Sequence, residues 1–303
     1  MRVIIAGGTG FVGRHLSASL VRDGHDVVAL SRAPAKALPQ AGVRFVEWDA
    51  RSAEGAWVDQ LRGAGGVINL AGTSLGSGRW TERRMAEILS SRLEATGAIV
   101  AALSGLAAAD RPPVLVSASG IDYYGDRGDE VVAEDSAPGS SFLARVCVQW
   151  EAAARQAEPL GVRVVLVRTA LAFGREAHAF RLMVLPFRLF AGGPLGSGRQ
   201  WFTWIHVEDL VDLYRFALAN PAVQGPLNAV APDIRPQRAV ALEIGRAMHR
   251  PSIVPTPAAL LGLALGQQAQ LLLHGRRATP KKALLLGFQF RYPTLPAALQ
   301  QAL

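Results

Sequence analysis

Cysteine occurs once in the 303 residues, at Cys147, so no disulfide can close within the chain, and a reducing compartment is expected. The thiol falls in an apolar helical stretch and reads as a buried packing residue rather than a nucleophile. Lysine is confined to Lys36, Lys281 and Lys282, and the other basic residues are arginines scattered along the chain. Clustering is therefore weak despite a net charge of +8. The densest stretch, Arg276-Arg277 with Lys281-Lys282, lacks the interleaved aromatic residues of a nucleic-acid platform, and no nucleic-acid partner is expected. The basicity suits attraction of an anionic small molecule. The six histidines show no close ligand spacing, which gives no metal site. Long apolar runs are missing too. The strongest, Ala258 to Leu265, ends at Gln267-Gln268 and is too short to span a bilayer, so no membrane partner is expected. Met1-Arg2 leads straight into a strand pattern, and the expected location is cytoplasmic.

Glycine, by contrast, is plentiful, and its placement near the start carries the most information. A short apolar strand from Arg2 to Ala6 runs into Gly7-Gly8-Thr9-Gly10-Phe11-Val12-Gly13, and a helical pattern with Val12, Leu16 and Leu20 follows to a stop at Gly24. A second apolar strand, Val27 to Leu30, comes at the spacing of a βαβ unit. Glycines at 7, 10 and 13 permit a tight turn, let backbone amides approach a diphosphate with no Cβ between, and bring helix close to strand. The positive end of the helix then faces the anion. Gly7, Thr9, Gly10, Phe11, Val12 and Gly13 thus form the expected dinucleotide cradle. At the end of the second strand the acid that would take a ribose 2′-hydroxyl is absent, and Ser31-Arg32 stands in its place. A guanidinium suits a 2′-phosphate through charge-assisted bidentate hydrogen bonds, so NADP(H) is expected over NAD(H). A solvated loop arginine is the alternative.

Strand-like runs recur at Val43 to Val46, Val67 to Leu70, Val114 to Val116 and Val164 to Val167, separated by helical patterns such as Glu82 to Leu103 and Phe142 to Ala157. That alternation predicts an α/β fold, a doubly wound parallel sheet of the Rossmann type with helices on both faces, whose ligands sit at the carboxyl ends of the strands. After Arg168 the alternation weakens, and Pro251, Pro255 and Pro257 punctuate a mostly helical C-terminal region. The expected division is a dinucleotide-binding domain over 1–172, with 206–219 returning to it, and a smaller substrate or lid lobe over 173–303.

These features resemble the extended short-chain dehydrogenase/reductase superfamily, in its atypical epimerase-like branch of NAD-dependent epimerases and dehydratases. The strings that carry the resemblance are GGTGFVG at 7–13, SR at 31–32, NLAG at 69–72, SR at 91–92, YYGDRGDE at 123–130, WEAAA at 150–154, GSGRQWFTWIHVEDL at 196–210 and GFQFRYPTL at 287–295. The resemblance implies that Leu70, Ala71 and Gly72 flank the adenosine and diphosphate half of the cofactor. It implies a phosphate contact for Arg92, a polar contact for Glu87 and an adenine-side role for Asp49, with a surface acid and a helix cap as the respective alternatives for the last two. Ser117 and Ala172 are placed by it on the cofactor rim, Ala172 towards the nicotinamide.

Typical members of that superfamily carry Tyr and Lys four residues apart on one helix, the ammonium lowering the phenol pKa. This chain lacks the pair. Counting from the aromatic start of the helix puts Phe142 and Val146 at the two places, whereas counting from Glu151 puts Leu143 and Cys147 there. Ser119 and Tyr124, after the fifth strand, are the remaining hydroxyls expected to serve catalysis, with loop packing as the alternative role of the tyrosines. Arg199, Gln200, Trp201 and Trp204 suit a substrate wall, and His206 reads as a core histidine. Gly72-Thr73-Ser74-Leu75-Gly76 matches a hydrolase elbow, a reading outweighed by the glycine bend. Two functions follow as expectations: an NADP(H)-dependent oxidoreductase or epimerase-like enzyme for an unidentified small or nucleotide-linked polar substrate, or a non-catalytic NADP(H)-binding sensor or assembly protein.

Overall fold

The computed structural model describes all residues, 1–303. Seven strands, β1 (Arg2–Ala6), β2 (Asp26–Ser31), β3 (Val43–Glu47), β4 (Gly66–Asn69), β5 (Val114–Gly120), β6 (Arg163–Thr169) and β7 (Gly225–Ala229), form one sheet in the order β3-β2-β1-β4-β5-β6-β7. All neighbours run parallel. A parallel sheet needs a crossover between strands, and those crossovers cover both faces with helices, so Val3, Ile4 and Ile5 are all fully buried in succession rather than alternately. On one face α1 (Phe11–Arg22) lays Leu16 and Leu20 into a core shared with Leu210 and Leu213. On the other, Trp57 of α2 (Ala56–Leu61) joins Ile99 and Leu103 of α3 (Glu82–Ser104). Strand order reverses between β1 and β4, which opens a crevice at their carboxyl ends.

The helix α4 (Phe142–Arg155) joins β5 to β6, and beyond β6 the chain forms α5 (His178–Arg188), α6 (Val207–Ala219), α7 (Gln237–Met248) and α8 (Ala258–Leu265). A two-strand parallel pair, Leu171–Phe173 with Trp204–His206, carries the chain back to α6, which packs on the sheet. Phe180, Val184, Trp204, Val240 and Leu299 build a separate core under α5 and α7. Ala283 and Phe288 return to the sheet's own core beside β7, so the C-terminal region contributes to both. The strand β7, with only Pro-Leu between glycine and asparagine, gave no apolar run to read in the sequence. No helix is long and apolar enough to cross a membrane.

Candidate functional site

The glycine bend has the geometry its spacing predicts. Gly7 takes φ +79°, and a Cβ there would lie 2.8 Å from the Leu70 carbonyl group; one at Gly13 would lie 2.4 Å from the Gly7 carbonyl oxygen. The first bond of α1 runs from the Arg14 amide to the Gly10 carbonyl at 2.9 Å. Gly10 at the N-cap offers no side chain, so the amides of Phe11, Val12 and Gly13 find no acceptor in the protein. Three unmatched donors at the positive end of a helix, with bare backbone in front, suit an anion. Thr9 is exposed at the lip of the bend, and its carbonyl accepts from Arg14.

Around the crevice the other rim residues differ in how free they are. Ser31 Oγ accepts from the Ala33 amide, while the Arg32 guanidinium is exposed and has neither hydrogen bond nor ion pair. Asp49 Oδ1 takes the amides of Arg51 and Ser52, both at 2.8 Å, which hold the carboxyl below its ordinary value. Leu70 and Ala71 follow β4, with the Ala71 amide fixed by Asn69 Oδ1, and Gly72 is exposed beside Arg92. Arg92 is buried, donates to the carbonyls of Thr73 and Ile88, and lies over Trp150 at 5.0 Å with no carboxylate partner. Burial without a counter-ion lowers its pKa and leaves an uncompensated cation at the rim. Glu87 instead pairs with Arg84 at 2.8 Å, and that arginine pins Ser74 and Ser77. Ser117 is fully buried beneath the rim, and Ala172 lies in the short strand beside Ile205.

Tyr124 requires a correction. It is fully buried; its hydroxyl accepts from Arg168 Nη1 and donates to Asn228 Oδ1, each at 2.8 Å, so the phenol has no free side to offer a ligand. Burial pushes its pKa up to about 12, away from working pH. Ser119 also points inward, donating to Glu151 Oε1 at 2.7 Å. Both hydroxyls belong to a buried network centred on Arg168, which grips Glu151 through Nε and Nη2 at 2.8 and 2.9 Å and stacks on Tyr123 at 3.4 Å. Burial opposes the arginine's charge, and the Glu151 carboxylate outweighs it, holding the guanidinium above its ordinary value. Glu134 completes the cluster by taking the Asn228 and Lys282 amides. A signal for this network stood in the sequence: Arg168 directly follows the apolar run Val164 to Val167, and a charge inside a core strand demands a partner.

The helix α4 puts Leu143 against a narrow cleft and Cys147 behind it. The thiol faces the Gly120 carbonyl at 3.6 Å, and burial pushes it up to about 12. Trp80, Asp122, Asp126, His274 and Arg276 also line the cleft, and Asp122 is ion-paired to Arg276 across it. The roof is tied to the loop after β4, where Arg79 donates to the Leu263 carbonyl and Gln268 to the Leu75 carbonyl. Trp204 is buried, stacked on Phe173, and belongs to the core rather than a substrate wall. Trp201 is tied to Asp129 and covered by Arg277, and Gln200 holds the carbonyls of Leu195 and Leu272. His206 is fully buried, accepts from the Glu208 amide and meets Gln301 at 2.6 Å; burial lowers its pKa, as a core histidine requires. Ser74 lies in an open loop with Oγ turned to the Gly76 amide, without the abrupt strand-to-helix turn of a hydrolase elbow.

Comparison with known proteins covers nearly the whole chain. Residues 3–230 match the NAD dependent epimerase/dehydratase family, and 256–302 match a domain of unknown function, DUF1731. The chain is similar to epimerase family protein YfhF of Bacillus subtilis, at 39% identity over 99% of this chain and 97% of that protein. Among solved structures, human epimerase family protein SDR39U1 (isoform 2), crystallised with NADPH, superposes with a TM-score of 0.87 at 35% identity, covering 100% of this chain and 99% of the other. A UDP-glucuronic acid 4-epimerase from Bacillus cereus shares the fold, with a TM-score of 0.77 at 14% identity over 100% and 95% of the two chains.

Proposed function

From the premise that this chain belongs to the NAD-dependent epimerase/dehydratase family, we propose that it binds NADP(H) along the carboxyl edge of the sheet and acts on a small or nucleotide-linked polar substrate in the adjoining cleft. The observation that carries the reading is the bend at Gly7 to Gly13, where three helix amides lack acceptors and a Cβ would fill the approach. In this reading Phe11, Val12 and Gly13 hold the diphosphate, and Leu70 to Gly72 let the adenosine half pass. Arg92, a buried cation without a carboxylate, faces a phosphate. The free, exposed Arg32 takes the 2′-phosphate, in keeping with the NADPH of the human relative. Asp49 borders the adenine, and Ala172 the nicotinamide, which when bound supplies a hydride donor or acceptor.

The substrate would lie between Leu143, Trp80 and the Asp122–Arg276 pair. Here Arg276 and Asp122 orient polar groups, Leu143 and Trp80 exclude water, and the network around Arg168 keeps the floor rigid. One observation favours a second reading, a binder without turnover: neither Leu143 nor the raised thiol of Cys147 exchanges a proton, and the phenol of Tyr124 is locked. Both readings are tested by titrating the protein with NADPH and NADH, then following oxidation of NADPH with sugar nucleotides, ketones and quinones. Saturable binding that is lost in Gly13→Ala, with an unchanged circular dichroism spectrum, supports the cradle; substrate-dependent oxidation supports the enzyme over the binder. Absence of saturable binding to either nucleotide overturns both.

A further inference from the structure

Away from the crevice, the surface formed by α5, the segment 250–254 and α8 is apolar where water would be expected. One face of α5 is buried through Phe180, Val184 and Phe187, yet the opposite face carries Leu182, Leu185 and Leu189 at i, i+3 and i+7, all exposed, Leu189 to 69%. Phe190, 59% exposed, continues the stripe and lies under the Arg250 guanidinium at 4.4 Å, which joins it to Ile253, 78% exposed. Backbone contact between Gly193 and Val254, and the bridge from Leu195 to Thr256, carry the surface on to α8. That helix, Ala-Ala-Leu-Leu-Gly-Leu-Ala-Leu, has no buried residue, and Leu263 is 76% exposed. A helix apolar on every side, with Leu261 and Leu265 only half-buried and Leu260 and Leu263 exposed, is unusual for a surface facing only water.

The segments that form this face carry charge of one sign. No Asp or Glu occurs between Glu176 and Glu208, or anywhere after Glu243. Arg181, Arg188, Arg238 and Arg250 are exposed, and none forms an ion pair. We propose that this face docks on an anionic phospholipid surface, α8 and the outer stripe of α5 lying in the headgroup boundary and the arginines against the phosphates. Apolar side chains rimmed by unpaired cations complement such a surface in both respects. A second copy of the chain fits poorly, because a twofold contact would set these arginines against one another with no acid between them. The expectation of no membrane partner rests on the lack of a spanning run, and a helix lying on a surface needs none.

The test is co-sedimentation of the full chain with vesicles of phosphatidylcholine alone and of phosphatidylcholine mixed with phosphatidylglycerol. Association with the mixed vesicles, weakening as salt rises and absent on phosphatidylcholine alone, is expected. Replacing both Leu189 and Leu263 by Glu should lower it by about tenfold or more, and each of Arg188→Ala and Arg250→Ala by about fivefold, with thermal unfolding and NADPH titration as in the parent. No association with the mixed vesicles at low salt overturns the proposal. So does equal association of the double-glutamate variant, or a parent that sediments as a dimer while that variant is a monomer.

Discussion

Substituting Glu151 by Gln should be strongly destabilising although it is isosteric. It keeps the side-chain shape but removes the charge from a pair in which Arg168 and Glu151 are 2% and 5% exposed at their side chains. One carboxylate oxygen accepts from both Ser119 and Arg168 Nε, and the other from Arg168 Nη2. A glutamine amide turns one of those acceptors into a donor facing a guanidinium. Breaking one side of a buried pair costs about 3–5 kcal/mol, because a charge is left uncompensated. At about 2.1 cal/mol/K of unfolding entropy per residue, the 303 residues correspond to roughly 0.6 kcal/mol/K, so the melting temperature should fall by about 5–8 °C. Differential scanning calorimetry reads this directly. The companion double variant Glu151→Gln with Arg168→Met, which removes both charges, should recover a large part of the loss. A single variant melting within about 1 °C of the parent would mean that the pair is solvated, and the account of the network would fail.

Arg32→Ala should weaken NADPH about tenfold and leave NADH unchanged, since an exposed charge-assisted bond contributes near the lower end of its range; calorimetric titration with both nucleotides checks it. Cys147 should resist alkylation by iodoacetamide in the native protein and react once denatured, as its thiol is buried and pushed up to about 12. Asp209, fully buried and capping the amides of Arg291 and Tyr292, has its carboxyl pushed up to about 6, burial being the chief cause. Its folded pKa lies above the unfolded one, so its contribution is fully present below about pH 4 and declines as pH rises through about 6. The melting temperature of the parent minus that of Asp209→Asn should therefore fall across that window, and a flat difference would refute the assignment.

What the sequence made legible was whatever local spacing dictates. The cradle could be read because three glycines at i, i+3 and i+6 between a strand and a helix leave few other uses, and most of the sheet because β1, β2, β4, β5 and β6 contain continuous apolar runs, which β7 lacks. Tyr124 misled for the opposite reason: a tyrosine in a glycine-rich loop after β5 has the local setting of a rim phenol, and only the approach of Arg168 from β6 and Asn228 from β7 turns it inward. Those partners are 44 and 104 residues away in sequence. Glu87 and Arg84, three apart on α3, were by contrast close enough for the ion pair to be anticipated from helical spacing alone.

The two sides of the crevice differ in how their charges are paired. On the cofactor side the bend, the uncompensated Arg92 and the free Arg32 all present positive potential to one edge, and none is neutralised by a neighbouring acid. On the chemical side the two arginines nearest the cleft floor are already matched. Glu151 neutralises Arg168, Asp122 neutralises Arg276, and neither Val146 nor Cys147, the two positions the superfamily's lysine would take by one count or the other, carries an ammonium. A phenol placed at either Phe142 or Leu143 would lack a lysine four residues on, so a single exchange to Tyr would supply a hydroxyl without the ammonium that tunes it. In the proposed reading, binding and proton transfer are separable, because the helix amides and the strand-end Arg32 would secure the dinucleotide, and α4 would enter only through Trp150 beneath Arg92.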